Sequence, residues 1–315
     1  MAKSGKILRG EVAVAGEKCG YSFYAIDART EDQRLRNTQT GTLDGDLIVF
    51  IPGHGQRSAA ARRLQSTLIE ASASKVLWSI DVDPPRGGDP VKTQAVIEIV
   101  RQKVSEELNI RDMEGMGQQP TFKTVLIGWS HGGAIVLRAA EKAPDLFPKV
   151  AALCPAGLEQ RGLPELLGSF VVEILLIAFD AIRKGPRSMA IALRMGGDML
   201  IGLTMDFVRS KSLRRLIDDI RWGATKVVGS EYMYPGRVVV LFAEADKVIR
   251  WRGAVPECRQ AEELNQHLVG YERRSFPHVQ SFNLRILKGN HLAPELFAPL
   301  YVQNIFETLN LSSDA

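Results

Sequence analysis

Cysteine is scarce in this 315-residue chain, and the three present, Cys19, Cys154 and Cys258, lie far apart with no C-x-x-C pair. That spacing excludes a disulfide framework and the usual zinc-ligand patterns, and it points to a reducing environment. No long apolar run opens the sequence either. The N-terminus, Met1-Ala2-Lys3-Ser4-Gly5-Lys6, runs straight into Leu8-Arg9-Gly10-Glu11, so no secretory signal is expected and the setting predicted is cytoplasmic. The longest apolar run, residues 166–182, is broken by Gly168, Ser169, Glu173 and Asp180, which leaves it too short and too charged for a transmembrane segment. Charge of one sign is not concentrated anywhere. The net charge is +4, and the pairs Arg62-Arg63, Arg214-Arg215 and Arg273-Arg274 are dispersed, so no nucleic-acid partner is indicated. No Gly-x-x-x-x-Gly-Lys phosphate cradle occurs either.

What is present is the material of a large folded core. Apolar residues make up 45% and charged residues 24%, which excludes a disordered or low-complexity chain. Alternating residues in 11–15 and again in 21–26, joined through Gly16 to Gly20, predict two antiparallel strands. From Leu47 the pattern changes. Short runs rich in Val, Ile, Leu and Phe at 47–51, 76–80, 124–127, 149–153, 238–242 and 282–287 alternate with helix-like segments at 58–73, 91–108, 132–142, 257–269 and 293–309. This alternation predicts an α/β fold, a mostly parallel twisted sheet of about eight strands flanked by helices. It fails once, after Cys154. Residues 157–229 carry helical pattern without a convincing strand, with helices expected at 163–182, 186–195, 198–208 and 213–222, and they read as a helical cap inserted between core segments 1–156 and 230–315.

The strongest chemical signal is Thr124-Val125-Leu126-Ile127-Gly128-Trp129-Ser130-His131-Gly132-Gly133-Ala134, a strand, a G-x-S-x-G turn and a helix. It resembles the nucleophile elbow of the α/β-hydrolase family, in which Gly128 and Gly132 leave room for a tight turn that exposes the serine hydroxyl. The other two members of a triad follow in the order the family uses. Asp246 comes directly after the penultimate strand, with Glu244 as the alternative acid, and His291 stands where the last strand hands over to the C-terminal helix. The remaining histidines have plainer explanations: His131 should point away from the hydroxyl, His267 lies in a polar helical segment, and His278 follows Pro277 in a loop.

Ile51-Pro52-Gly53-His54-Gly55-Gln56 resembles the family's His-Gly turn, which supplies a backbone N–H to the oxyanion hole. The resemblance implies donors at Gln56, with Gly55 as the near alternative, and at His131. Many members carry an Asp-x-Pro-Gly-x-Gly-x-Ser run after the next strand, whereas this chain has Asp81-Val82-Asp83-Pro84-Pro85-Arg86-Gly87-Gly88-Asp89.

Relatives in this fold that act on haloalkanes or epoxides use an aspartate nucleophile, so Ser130 implies acyl transfer on a carboxylic ester, a chemistry that needs neither metal nor cofactor. The expected partner is a small-molecule ester. Trp129, Phe170, Ile174 and Phe179, with the methionines at 189, 195, 199 and 205, would line a pocket for a lipophilic substrate. The same apolar residues could equally pack the cap onto the core or form the contact of a homodimer. Thioester, lactone or C–C bond hydrolysis, perhydrolysis and acyl transfer to an alcohol stay open beside ester cleavage, as does a ligand-binding protein of low turnover.

Overall fold

The computed structural model describes residues 6–40, 46–53, 61–72, 76–83, 89–108, 123–159, 162–186, 231–255 and 263–311, with scattered positions between 189 and 229. The chain opens with a hairpin of β1 (Lys6–Val14) and β2 (Glu17–Asp27), paired so that Val14 faces Glu17. The connection is tighter than the sequence suggests. Ala15 and Gly16 alone make the turn, with φ of 50° and 79°, the backbone that two-residue hairpins favour.

Six strands follow: β3 (Asp46–Ile51), β4 (Val76–Val82), β5 (Lys123–Trp129), β6 (Lys149–Leu153), β7 (Arg237–Ala243) and β8 (Ser281–Leu287). The sheet runs β1-β2-β4-β3-β5-β6-β7-β8, antiparallel at β1/β2 and β2/β4 and parallel from β4 to β8. After β4 the chain crosses β3 to enter on its other side. That reversal opens a crevice at the carboxyl ends of β3 and β5, where sheets of this type bind ligands.

Successive residues of the central strands face opposite sides of the sheet, and each side builds its own core. Leu47, Val49, Leu126, Val150, Val238 and Val240 pack on one face beneath α3 (Asp89–Glu107) and α4 (His131–Lys142). Ile48, Val125, Ile127, Ala151, Val239 and Leu241 pack on the other, with α2 (Arg62–Ala71) and the C-terminal helix. Burial on both faces explains why these strands read as continuous apolar runs.

Three helices differ from the sequence expectation. Residues Glu31–Thr40 form α1, a polar helix with Asn37 as its buried residue, so no apolar period announced it. Its start is nonetheless encoded, because Thr30 and Gln33 make reciprocal bonds: the Gln33 N–H donates to Thr30 Oγ1 at 3.2 Å and the Thr30 N–H to Gln33 Oε1 at 2.9 Å. After β6 comes α5 (Leu163–Lys184), and after β7 the short α6 (Trp251–Ala254) precedes α7 (Leu264–Ser275). The helix expected over 257–269 thus runs further toward the C-terminus; its expected start falls outside the described residues, and Pro277 follows its end. The single helix expected over 293–309 is divided into α8 (Ala293–Leu296) and α9 (Ala298–Leu309), since Pro299 lacks an N–H and fits only the first turn of a new helix. No described helix is long and apolar enough to cross a membrane.

A charged group, Arg29, is buried at the end of the sheet opposite Ser130, next to Asp27, which pairs with the first residue of β4. The Arg29 side chain is 3% exposed, donates to Asp27 Oδ1 at 3.1 Å and Asn37 Oδ1 at 3.0 Å, and is ion-paired with Glu107 on α3. It ties the end of β2 to α1 and α3. Burial alone would raise the Asp27 carboxyl, but hydrogen bonds and charge from Arg29, with the charge of Arg34, hold it below its usual value. A carboxyl depressed in the folded state adds stability above its unfolded pKa of about 3.9, and that stability is lost as pH falls through the lower folded value. Arg29→Ala is expected to lower the unfolding free energy at neutral pH by about 2–3 kcal/mol, with the gap between variant and parent narrowing below about pH 4. Urea unfolding across pH measures both.

Candidate active site

The turn from β5 into α4 places Ser130 at the carboxyl end of a central strand with φ 56° and ψ −119°, a backbone that residues with a side chain rarely adopt. Such strain costs on the order of 1–3 kcal/mol and persists only where the surroundings over-determine it. Here they do. The Ser130 N–H donates to the Leu153 carbonyl at 2.8 Å, and its own carbonyl accepts from the N–H groups of Gly133 and Ala156, each at 2.9 Å. Two flanking glycines are required by close approach rather than by torsion. A Cβ on Gly128 would lie 2.2 Å from the Gly132 carbonyl oxygen, and one on Gly132 would lie 2.2 Å from that of Ile51 at the end of β3.

His291 Nε2 is 3.0 Å from Ser130 Oγ, and His291 Nδ1 is 2.8 Å from Asp246 Oδ2. The carboxylate fixes the tautomer: it can only accept, so Nδ1 carries the proton and Nε2 is left to accept from the serine hydroxyl. The Asp246 side chain has no exposed surface and that of His291 is 8% exposed. A buried carboxylate is tolerated when its lone pairs are filled, and Asp246 Oδ1 accepts from the N–H groups of Val248 and Ile249, both at 2.8 Å. Glu244, the alternative acid, is exposed, and its main-chain N–H donates to Leu287.

The three groups converge because β5, β7 and β8 are parallel and end at one edge, β7 and β8 pairing in register through Ala243 and Leu287. The loop that carries His291 is held by partners the sequence did not announce. The indole of Trp129, 1% exposed and expected to line a pocket, donates to the His291 carbonyl at 3.2 Å, so its polar contact is with the histidine's backbone. The Glu295 carboxylate, also buried, accepts from the N–H groups of Arg63 at 3.0 Å and Leu64 at 2.9 Å. An anion at the N-terminus of α2 satisfies orphan donors and meets the positive end of the helix dipole. Arg250, further along the acid's loop, reaches Glu165 in the first turn of α5 at 2.7 Å and Glu159 in the segment before it at 3.5 Å.

His131 is the first residue of α4 and is buried, which puts its main-chain N–H at the helix N-terminus beside the nucleophile. His54, Gly55 and Gln56 lie outside the described residues, as does the side chain of Phe170; Ile174 and Phe179 are exposed at 41% and 68%. His278 is exposed, and His267 is half-buried on α7.

No protein-family description matches the sequence, and no curated protein does. Solved structures match over nearly the whole chain. An alpha/beta hydrolase fold protein from Chitinophaga pinensis superposes with a TM-score of 0.53 at 15% identity, over 96% of this chain and 97% of that one. The 2-hydroxy-6-oxo-6-phenylhexa-2,4-dienoate hydrolase of Rhodococcus sp. strain RHA1 gives 0.56 at 15% identity, over 97% and 99%. A membrane phospholipase A, a bacterial virulence factor, gives 0.57 at 12% identity, over 98% and 87%. The chain has the α/β-hydrolase fold, and its structural neighbours include a phospholipase and a dienoate hydrolase.

Gly132→Ala is expected to lower stability by about 1–3 kcal/mol, because either the turn or the end of β3 must shift to admit the methyl group. Thermal unfolding beside the parent checks this; an unchanged midpoint would mean that the close approach is absent.

Proposed function

We propose that this chain is a serine hydrolase that cleaves a carboxylic ester through an acyl-enzyme on Ser130. The observation that carries the reading is the continuous path of two hydrogen bonds, 3.0 and 2.8 Å long, from the Ser130 hydroxyl through His291 to a buried Asp246 whose other oxygen accepts two main-chain N–H groups. Ser130 Oγ attacks the ester carbonyl while His291 Nε2 takes its proton, and the imidazolium so formed is stabilised by Asp246 and protonates the departing alkoxide. Water, deprotonated by the same imidazole, then releases the acid. The His131 N–H holds the oxyanion, worth on the order of 3 kcal/mol in the transition state, and the resemblance at 51–56 assigns a second donor to Gln56, which lies outside the described residues.

In this reading α5, which lies in the segment 157–229 expected as a helical cap, selects the substrate; most of that segment beyond residue 186 lies outside the described residues. Exposed Val171, Leu175, Phe179 and Ile182 on α5 favour a lipophilic acyl or alkoxy group.

Ser130→Ala is expected to reduce turnover of p-nitrophenyl esters by at least about a thousandfold with folding intact, since loss of the nucleophile removes the covalent route. Asp246→Asn leaves the volume unchanged but permits the wrong tautomer, and the expected loss in kcat is on the order of 10⁴. An organophosphonate should label Ser130 in the parent; mass-spectrometric location of the adduct at any other residue overturns the assignment. A chain-length series of esters separates a lipophilic preference from a short-chain one.

A further inference from the structure

Cys154 ends β6 in a left-handed conformation, φ 41°, with its N–H donated to the Leu241 carbonyl at 2.7 Å. It is fully buried and in no disulfide. That backbone directs the thiol under the acid–base pair. A ligand atom of Cys154, one of Asp246 and one of His291 all lie within 4.8 Å of one another. The ring nitrogen of His291 that faces Asp246 is Nδ1, so the trio is a thiol sulfur, a carboxylate oxygen and an imidazole nitrogen.

We propose that these three side chains form an inhibitory site for a soft divalent cation, Zn²⁺ or Cd²⁺, behind the catalytic histidine. A tetrahedral cation with bonds of about 2.0–2.3 Å needs its ligand atoms about 3.5 Å apart, so the trio must contract by roughly an ångström at its widest. The charges favour burial. Thiolate and carboxylate together neutralise a divalent ion, which removes the net charge that burial of all three residues would otherwise penalise, and the Tyr301 hydroxyl interacts with Cys154 and Asp246 there.

Binding breaks the proposed mechanism at one point. Cys154 gives its thiol proton to solvent, and the metal takes the Nδ1 lone pair after the imidazole proton has moved from Nδ1 to Nε2. Nε2 then donates to Ser130 Oγ instead of accepting from it, so the base cannot take the hydroxyl proton. Occupancy should rise with pH, because one proton is released for each ion bound. The inhibition rests on the serine-hydrolase reading, whereas the binding does not.

The test uses the full chain, with Zn²⁺ and Cd²⁺ alone as probes. Ester hydrolysis by the parent is expected to be inhibited by Zn²⁺ and restored by EDTA. For Cys154→Ala, measured against its own metal-free rate, the inhibiting concentration should rise at least tenfold. Cd²⁺ should produce thiolate-to-metal charge-transfer absorption in the parent and in Ser130→Ala, and this band should be lost in Cys154→Ala although Cys19 and Cys258 remain. Cys154→Ser, nearly isosteric but a poor ligand for a soft ion, gives the same comparison if the alanine variant does not fold. Equal Zn²⁺ sensitivity in parent and Cys154 variants, or an unchanged Cd²⁺ band, overturns the site. A protein without esterase activity that still shows the Cys154-dependent band refutes the ester-hydrolase reading alone and leaves the metal site standing.

Discussion

The Asp246 carboxylate has no surface of its own in water, so its charge depends on the three donors it meets inside the protein. Two come from its own loop, which must turn back sharply enough for the Val248 and Ile249 N–H groups to reach one oxygen. The third is the His291 imidazole, which must arrive from the neighbouring strand. Parallel pairing of β7 with β8 meets that demand, since parallel strands release their outgoing loops at the same edge. Once the ring is fixed at Nδ1, the direction of Nε2 follows, and with it the place where a hydroxyl must stand. The end of β5, two strands away, supplies it.

Holding that arrangement uses strained backbone. Ser130 and Cys154 both sit at positive φ at the ends of the adjacent strands β5 and β6, and the Ser130 N–H bonds to the residue just before Cys154. Each such conformation costs on the order of 1–3 kcal/mol, against a gain of roughly 1.5–3 kcal/mol for each large apolar side chain fully buried in the two cores. The histidine loop is fastened without strain, by polar side chains inserted where a helix end or a carbonyl wanted a partner. Glu295 fills the N-terminus of α2, and Trp129 reaches under the elbow to the His291 carbonyl. The groups that would react and those that hold them are therefore drawn from every strand end on this side of the sheet between β5 and β8.

Much of the fold was legible because burial on both faces writes itself into composition. The runs at 47–51, 150–153 and 238–242 are continuous in Val, Leu, Ile, Phe and Ala for that reason, and they coincide closely with β3, β6 and β7. Segments without an apolar stripe were harder to read. Helix α1 buries only a polar residue, and its start was encoded in the pair Thr30 and Gln33, a capping signature rather than a periodicity. The break at Phe297 was marked by Pro299, since a proline inside a long helical pattern more often begins a helix than continues one.

The candidate site divides along the same line. Ser130 was visible because G-x-S-x-G constrains neighbours in sequence, and its glycines answer to carbonyls in contact with them. Asp246 and His291 could be named from order along the chain. The holding roles of Trp129 and Glu295 could not, since their partners are remote in sequence: Trp129, named only as a pocket residue, meets His291, and Glu295 meets residues more than 230 positions away. By itself the sequence determined the alternation of strand and helix and the turn that exposes a serine, because these follow from local sterics and from which residues avoid water. Only the tertiary structure decided which distant side chains touch, because that depends on strand order and on the packing of helix ends against loops, neither of which leaves a periodic trace in the chain.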